Sequence, residues 1–150
     1  MVPSRIEKEL LIEAPVDVVW RVVTEPDQIK QWFSQEAELD PKEGVGRLAF
    51  RDGQTFFLQI EAFEPPWRFA FRWGHSEQTK PRPDNSMLVE FTLQAEADST
   101  RLRVVESGFD QIGWADEKKS TYFDDHSRGW DFLLGRLRDF APGAGVAERE

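Results

Sequence analysis

Residues 6–33 read IEKELLIEAPVDVVWRVVTEPDQIKQWF, and their periodicity changes twice. From Arg5 to Ile12 the chain alternates: Ile6, Leu10 and Ile12 share one parity, the pattern of a strand with one buried face. Ala14-Pro15 breaks that pattern. Pro15 suits a first helical position, where its missing N–H is not needed, and Asp17 then meets the positive end of the helix dipole. Val16, Val19, Trp20 and Val23 recur at i, i+3, i+4 and i+7, which places them on one face of a short helix. So many β-branched residues make a poor free helix, so tertiary packing must hold it. Thr24-Glu25-Pro26 interrupts it, and a second short helix runs from Pro26 to Trp32.

Beyond this stretch the period is that of strands. Gln35–Leu39 reads as strand two, and Asp40-Pro41-Lys42-Glu43-Gly44 as a turn cluster. Arg47–Arg51 is strand three, with Leu48 and Phe50 on one face, and Asp52-Gly53 then signals a hairpin. Thr55–Phe63 is strand four, closed by Pro65-Pro66, neither of which can donate to a ladder. Strand five, Trp67–Trp73, sets Trp67, Phe69, Phe71 and Trp73 against Arg68, Ala70 and Arg72. After a polar loop come strand six, Met87–Leu93, and strand seven, Thr100–Glu106, with Leu102 and Val104 inward. Gly108–Lys119 is polar and irregular, with Asp116-Glu117-Lys118-Lys119 a solvated run ahead of the last helix. From Thr121 the period becomes helical: Tyr122, His126, Trp130, Leu133, Leu134, Leu137 and Phe140 form one stripe. Ala141-Pro142-Gly143 reads as the end of this helix, followed by a frayed tail.

The order is strand, two short helices, six strands and one long helix, an α+β arrangement. A seven-stranded antiparallel sheet has one apolar face to cover, and the terminal helix can lie across it. Composition agrees with a single unit of 150 residues without linker or repeat. Twelve Phe, six Trp and one Tyr are more bulk than a surface needs. There is no Cys, which excludes disulfide scaffolds, thiolate metal sites and Cys nucleophiles. A net charge of −9 argues against nucleic acid and anionic lipid as partners. No apolar run reaches membrane-span length and no signal-peptide core is visible, so the expected compartment is the cytoplasm.

The stretch 6–33, with its Ala14-Pro15 break, Val19-Trp20 pair, Glu25-Pro26 break and Trp32-Phe33 pair, resembles the opening of the START-like or SRPBCC superfamily. EPPWRFAFRW (64–73) and RGWDFLLGRLRDF (128–140) are similar to the branch named after the activator of the heat-shock protein 90 ATPase, the AHSA-type proteins. The resemblance spans residues 4–140 and rests on motifs that determine fold more than chemistry. It implies a helix-grip fold of the START and birch-pollen-allergen type, a curved sheet in the order 1-7-6-5-4-3-2, and a hydrophobic cavity under the last helix. It implies no shared catalytic set.

Candidate site residues follow from parity. Trp32, Phe50, Phe56, Phe69, Phe71, Trp73, Met87, Phe91 and Trp130 face the sheet–helix interface, either as core or as cavity wall. Leu133 and Gly129 join them, Gly129 leaving room for a ligand or for close approach of the sheet. His126 on the helical stripe reads first as a buried histidine bonded to backbone, and otherwise as a polar group that orients a ligand or moves a proton. Glu106 reads first as a wet strand end, and otherwise as a carboxylate entering the cavity mouth. Tyr122 completes the weak catalytic candidates, and His75 is a solvated loop residue. Asp124-Asp125-His126 is not a metal site, because consecutive helical residues do not share a face. Neither metal nor cofactor is expected. Leu11, Leu88 and Val105 share outward parity on strands that the resemblance makes neighbours, an apolar stripe suited to a homodimer.

Three functions are open. The favoured one is non-catalytic binding of a hydrophobic or amphipathic small molecule. The second, implied by the resemblance, is interaction with a chaperone as an ATPase activator. The third is a cyclase- or hydratase-type enzyme using His126, Tyr122 or Glu106 as acid or base, which requires at least two of them within reach of one ligand atom.

Overall fold

The computed structural model describes residues 5–50, 53–74, 86–110 and 114–149. The elements are β1 (Arg5–Ile12), α1 (Val16–Thr24), α2 (Pro26–Trp32), β2 (Glu36–Asp40), β3 (Val45–Ala49), β4 (Thr55–Glu64), β5 (Arg68–Gly74), β6 (Ser86–Glu96), β7 (Ser99–Ser107) and α3 (Asp116–Arg149). All seven strands form one antiparallel sheet in the order β1-β7-β6-β5-β4-β3-β2. The two short helices explain that order. They carry the chain away from β1, so β2 starts the opposite edge and each later strand pairs with its predecessor until β7 meets β1.

In β1 the expected parity holds: Ile6 and Ile12 are buried, while Glu7, Glu9 and Leu11 are exposed. Its break is pinned by the Thr100 hydroxyl, which donates to the Ala14 carbonyl at 2.8 Å. Both short helices are held by burial rather than propensity. Val18, Val19, Trp20, Val22 and Val23 of α1 are buried, and the Trp32 indole N–H of α2 donates to the Val22 carbonyl at 2.9 Å. A register shift between Ile60 and Ala62 bulges β4 against β5, and such bulges increase strand bend and twist. The sheet curves around α3, which packs Trp130, Leu134, Leu137, Ala141 and Ala144 into the core. None of the described helices is long and apolar enough to cross a membrane.

Several boundaries differ from the sequence reading. β3 starts at Val45, not Arg47, because Gly44 at φ 78° closes the preceding turn. Phe50 lies past the end of β3, its amide bonded to the Gln54 carbonyl at 2.8 Å. Trp67 precedes β5 in a turn and is 51% exposed, so the inward series begins at Phe69. α3 begins at Asp116, so the acidic run is its first turn, where carboxylates favour the helix dipole. It also runs through Pro142 instead of ending there. The carbonyl that loses its helical partner belongs to exposed Arg138, and Ala141 and Ala144 on either side of the proline are buried.

Two glycines make opposite stability predictions. A Cβ on Gly135 in α3 would meet nothing within 4 Å. Gly135→Ala is expected to stabilise the fold by about 0.5–1 kcal/mol through helix propensity. A Cβ on Gly46 would lie 2.6 Å from the Leu39 side chain and 2.8 Å from the Glu38 carbonyl oxygen. Gly46→Ala is expected to destabilise by about 1–3 kcal/mol. Urea unfolding followed by tryptophan fluorescence measures both.

Candidate functional site

Inward parity on β7 carries Leu102, Val104 and then Glu106, and the strand continues to Ser107. Glu106 is therefore not a wet strand end: it is fully buried, between Ile6 of β1 and Val89 of β6. A carboxylate removed from water must recover its hydrogen bonds from the protein. Three side chains supply them. The Trp73 indole of β5 donates to Oε2 at 2.8 Å, and the Trp130 indole of α3 donates to Oε1 at 2.9 Å. His126, one turn before Trp130, places Nδ1 2.8 Å from Oε1 and 2.9 Å from Oε2. The carboxylate only accepts, so Nδ1 carries the proton and Nε2 is the outer nitrogen. His126 is thus bonded to a carboxylate and not to backbone.

Aromatic rings enclose this cluster. His126 has the Tyr122 ring 4.0 Å away and the Trp73 and Phe109 rings each at 5.9 Å. Burial, and after it the charge of Glu106, pushes the Tyr122 phenol above its ordinary value near 10. Thus the three polar candidates, Glu106, His126 and Tyr122, are brought together. His75 lies outside the described residues.

The expected cavity wall divides in two. Trp32, Phe69, Phe71, Met87 and Phe91 are fully buried and form solid core. Trp73 and Trp130 lie directly beneath Phe33, whose ring sits 5.7 Å and 5.5 Å from theirs. Phe56 packs on both Phe50 and Trp73. Above that layer a groove of about 440 Å³ opens, lined by Phe33, Phe50, Gly129, Phe132 and Leu133 with Lys30, Ser34, Gln35 and Arg136. A Cβ on Gly129 would meet nothing within 4 Å, so this glycine faces open space rather than the sheet. Of the predicted lining, Phe50, Gly129 and Leu133 meet the groove. Sequence reasoning missed Lys30, Phe33, Phe132 and Arg136. The signal was available in α3: residues 129, 132, 133 and 136 form their own helical stripe beside the core stripe. Phe109, fully buried, was missed in a segment read as irregular.

The outward residues do not form one stripe. Val105 faces Glu7 and Glu90, and Leu11 lies four residues further along β1, opposite Arg101. Leu88 and Val105 are only diagonal neighbours, and both are half-buried. Ion pairs such as Arg103–Glu7 and Arg68–Glu90 occupy the surface between them. Asp125 of the acidic-histidine run is engaged with Arg128 at 2.6 Å. Among the described residues no cluster of three acidic or histidine side chains could hold a metal ion.

Two predictions follow from the carboxylate cluster. Glu106→Ala strands three buried N–H donors and is expected to cost about 3–5 kcal/mol, read by denaturant unfolding. Glu90→Ala, which removes an outer-face partner of Arg68, is expected to cost under about 1 kcal/mol. Tyr122 is the sole tyrosine, so tyrosinate absorbance near 295 nm reports it alone. Because its folded pKa is raised, unfolding releases a proton above pH 10 and stability falls as pH rises past that value. Tyrosinate should appear together with unfolding, and Tyr122→Phe should reduce the alkaline loss of stability.

The family model described as activator of Hsp90 ATPase homolog 1-like protein matches residues 13–141. Among solved structures, protein MLL2253 from Mesorhizobium loti is 21% identical, with TM-score 0.74, over 90% of this chain and 94% of its own. DynU16, a protein in the dynemicin biosynthetic locus, is 28% identical, with TM-score 0.73, over 92% of this chain and 47% of its own. CalU16 from Micromonospora echinospora is 29% identical, with TM-score 0.67, over 91% of this chain and 73% of its own. No curated protein matches the chain. Sheet order, gripped helix and the matched span together show that the chain belongs to the Hsp90 ATPase activator homolog 1-like family, with the helix-grip fold.

Proposed function

We propose that this protein binds a small apolar or amphipathic molecule in the groove beside Gly129. The observation that carries the reading is the groove itself: about 440 Å³, floored by Phe33 and Phe50 and walled by Leu133 and Phe132. That size suits a small organic ligand, for which pockets of roughly 300–1,000 Å³ are usual. The floor is built in advance of any ligand, because Phe33 rests on two indoles that Glu106 holds by hydrogen bonds. A rigid site spends less binding energy on ordering itself. The occurrence of a similar structure, DynU16, in a biosynthetic locus supports a small-molecule role.

Tryptophan fluorescence and native mass spectrometry against a panel of apolar and amphipathic compounds test the reading. Saturable binding by the wild type is expected, with Trp73 and Trp130 beneath the floor as reporters. Gly129→Leu fills the open space and should weaken binding by roughly tenfold or more, while leaving the unfolding midpoint at or above that of the wild type. Absence of binding across the panel would overturn the reading. Unchanged affinity in Gly129→Leu would move the site elsewhere.

One observation favours a second reading, proton-transfer catalysis: Glu106 fixes the His126 tautomer by accepting from Nδ1, and Nε2 makes no hydrogen bond with a described residue. An imidazole oriented in this way by a carboxylate can serve as a general base. Compounds that bind should then be chemically altered on incubation. His126→Gln should abolish the alteration while affinity is retained. Recovery of every bound compound unchanged excludes this reading for that panel.

A further inference from the structure

The charges around the groove differ from those on the rest of the surface. The chain carries 28 acidic against 19 basic residues, so carboxylates are abundant. On the outer face of the sheet, Arg47, Arg68, Arg72, Arg101 and Arg103 each lie within 4 Å of a glutamate. The groove reverses this pattern. Among the described residues, its lining contains two cations, Lys30 and Arg136, and no carboxylate.

Neither cation is neutralised by a described residue. The Arg136 guanidinium donates to the uncharged Gln31 carbonyl at 3.2 Å and sits 5.9 Å from the Phe132 ring. Lys30, exposed on α2, makes no ion pair with a described residue. The acids three residues away on the same helices, Asp27 from Lys30 and Asp139 from Arg136, form no ion pair with these cations, and Asp131 is engaged with Lys8 at 3.0 Å. Beside the two cations, Phe132 is 66% exposed, the most exposed large apolar side chain among the described residues. An apolar trough whose described lining offers two cations without an ion-pair partner, and no acid, is complementary to one kind of small molecule.

We propose that the occupant of the groove is an anionic amphiphile. Its apolar body would lie on Phe33, Phe50 and Leu133, and its single negative end would meet Lys30 and Arg136. This rests on the reading of the groove as a ligand site and adds the ligand's charge. Charge-assisted hydrogen bonds to a carboxylate, sulfonate or phosphate head are the strong ones, and an arginine can engage such a head with two parallel N–H donors. The same cations repel an ammonium head, so selectivity arises from both attraction and exclusion.

The test uses three probes with one chain length: decanoate, decanol and decylamine, each below its critical micelle concentration. Tryptophan fluorescence and native mass spectrometry read binding to the whole protein. Decanoate is expected to bind roughly tenfold more tightly than decanol, with decylamine weakest, and its advantage should shrink as salt is raised. Lys30→Gln with Arg136→Gln should bring decanoate down to the affinity of decanol and leave decanol unchanged. Arg136→Lys, which keeps the charge, should retain most of the preference. Both positions are exposed, and matching unfolding midpoints will show that the variants fold. Equal affinity for decanoate and decanol, or a preference that survives the double variant, overturns the anionic assignment while the groove reading stands. Failure of all three probes to bind overturns both.

Discussion

A single carboxylate, that of Glu106, accepts hydrogen bonds from Trp73 on β5 and from His126 and Trp130 on α3 while belonging to β7. The long helix is thereby tied to the middle of the sheet by polar contacts as well as by apolar packing. The energetics of such a cluster are asymmetric. Made in full it adds modest net stability, but each partner is costly to remove, because the others then stay buried and unpaired. What it supplies above all is geometry. Dispersion contacts would let two indoles slide, whereas hydrogen bonds to one carboxylate fix both ring planes and the height of α3 above the sheet.

That fixed geometry propagates outward one layer at a time. Trp73 and Trp130 lie 6.1 Å apart between ring centroids, and Phe33 rests on both. Phe50 and Phe56 extend the layer towards β3 and β4. The groove therefore has a floor whose shape is set from below by a charge that itself never reaches the groove lining. Beneath α3 the described residues pack solidly from Phe69 to Phe91 and Met87, and a groove opens beside Gly129, where a missing side chain leaves room.

Much of this was legible in the sequence, and the part that was not has physical reasons. The strands of the sheet could be read because a period of two and the turn residues act locally. The breaks at Pro15 and Pro26 were legible for the same reason. Glu106 was placed at inward parity, but parity cannot say whether a strand end is wet. That depends on donors 20, 24 and 33 residues away in sequence. Pro142 misled because a local rule about helix ends was overridden by burial of Ala141 and Ala144 on either side of it. The apolar stripe inferred from Leu11, Leu88 and Val105 failed on register. Outward parity shows that side chains share a face, but not how far apart along the strands they lie.

The groove cations show the same limit at the level of charge. Lys30 and Arg136 are 106 positions apart in sequence and belong to a chain whose overall charge is −9. A net charge predicts the long-range field, and that field repels anions. Within a trough whose described lining carries no carboxylate, however, the nearest charges dominate, because screening in water weakens distant ones over about 8–10 Å. An acidic protein can therefore offer a cationic site where local cations are left without an ion-pair partner. On the outer face of the sheet, by contrast, Glu7, Glu9, Glu90 and Glu96 each pair with an arginine. The outer face of the sheet is thus a mesh of compensated pairs, whereas Lys30 and Arg136 beside the groove make no ion pair with a described residue.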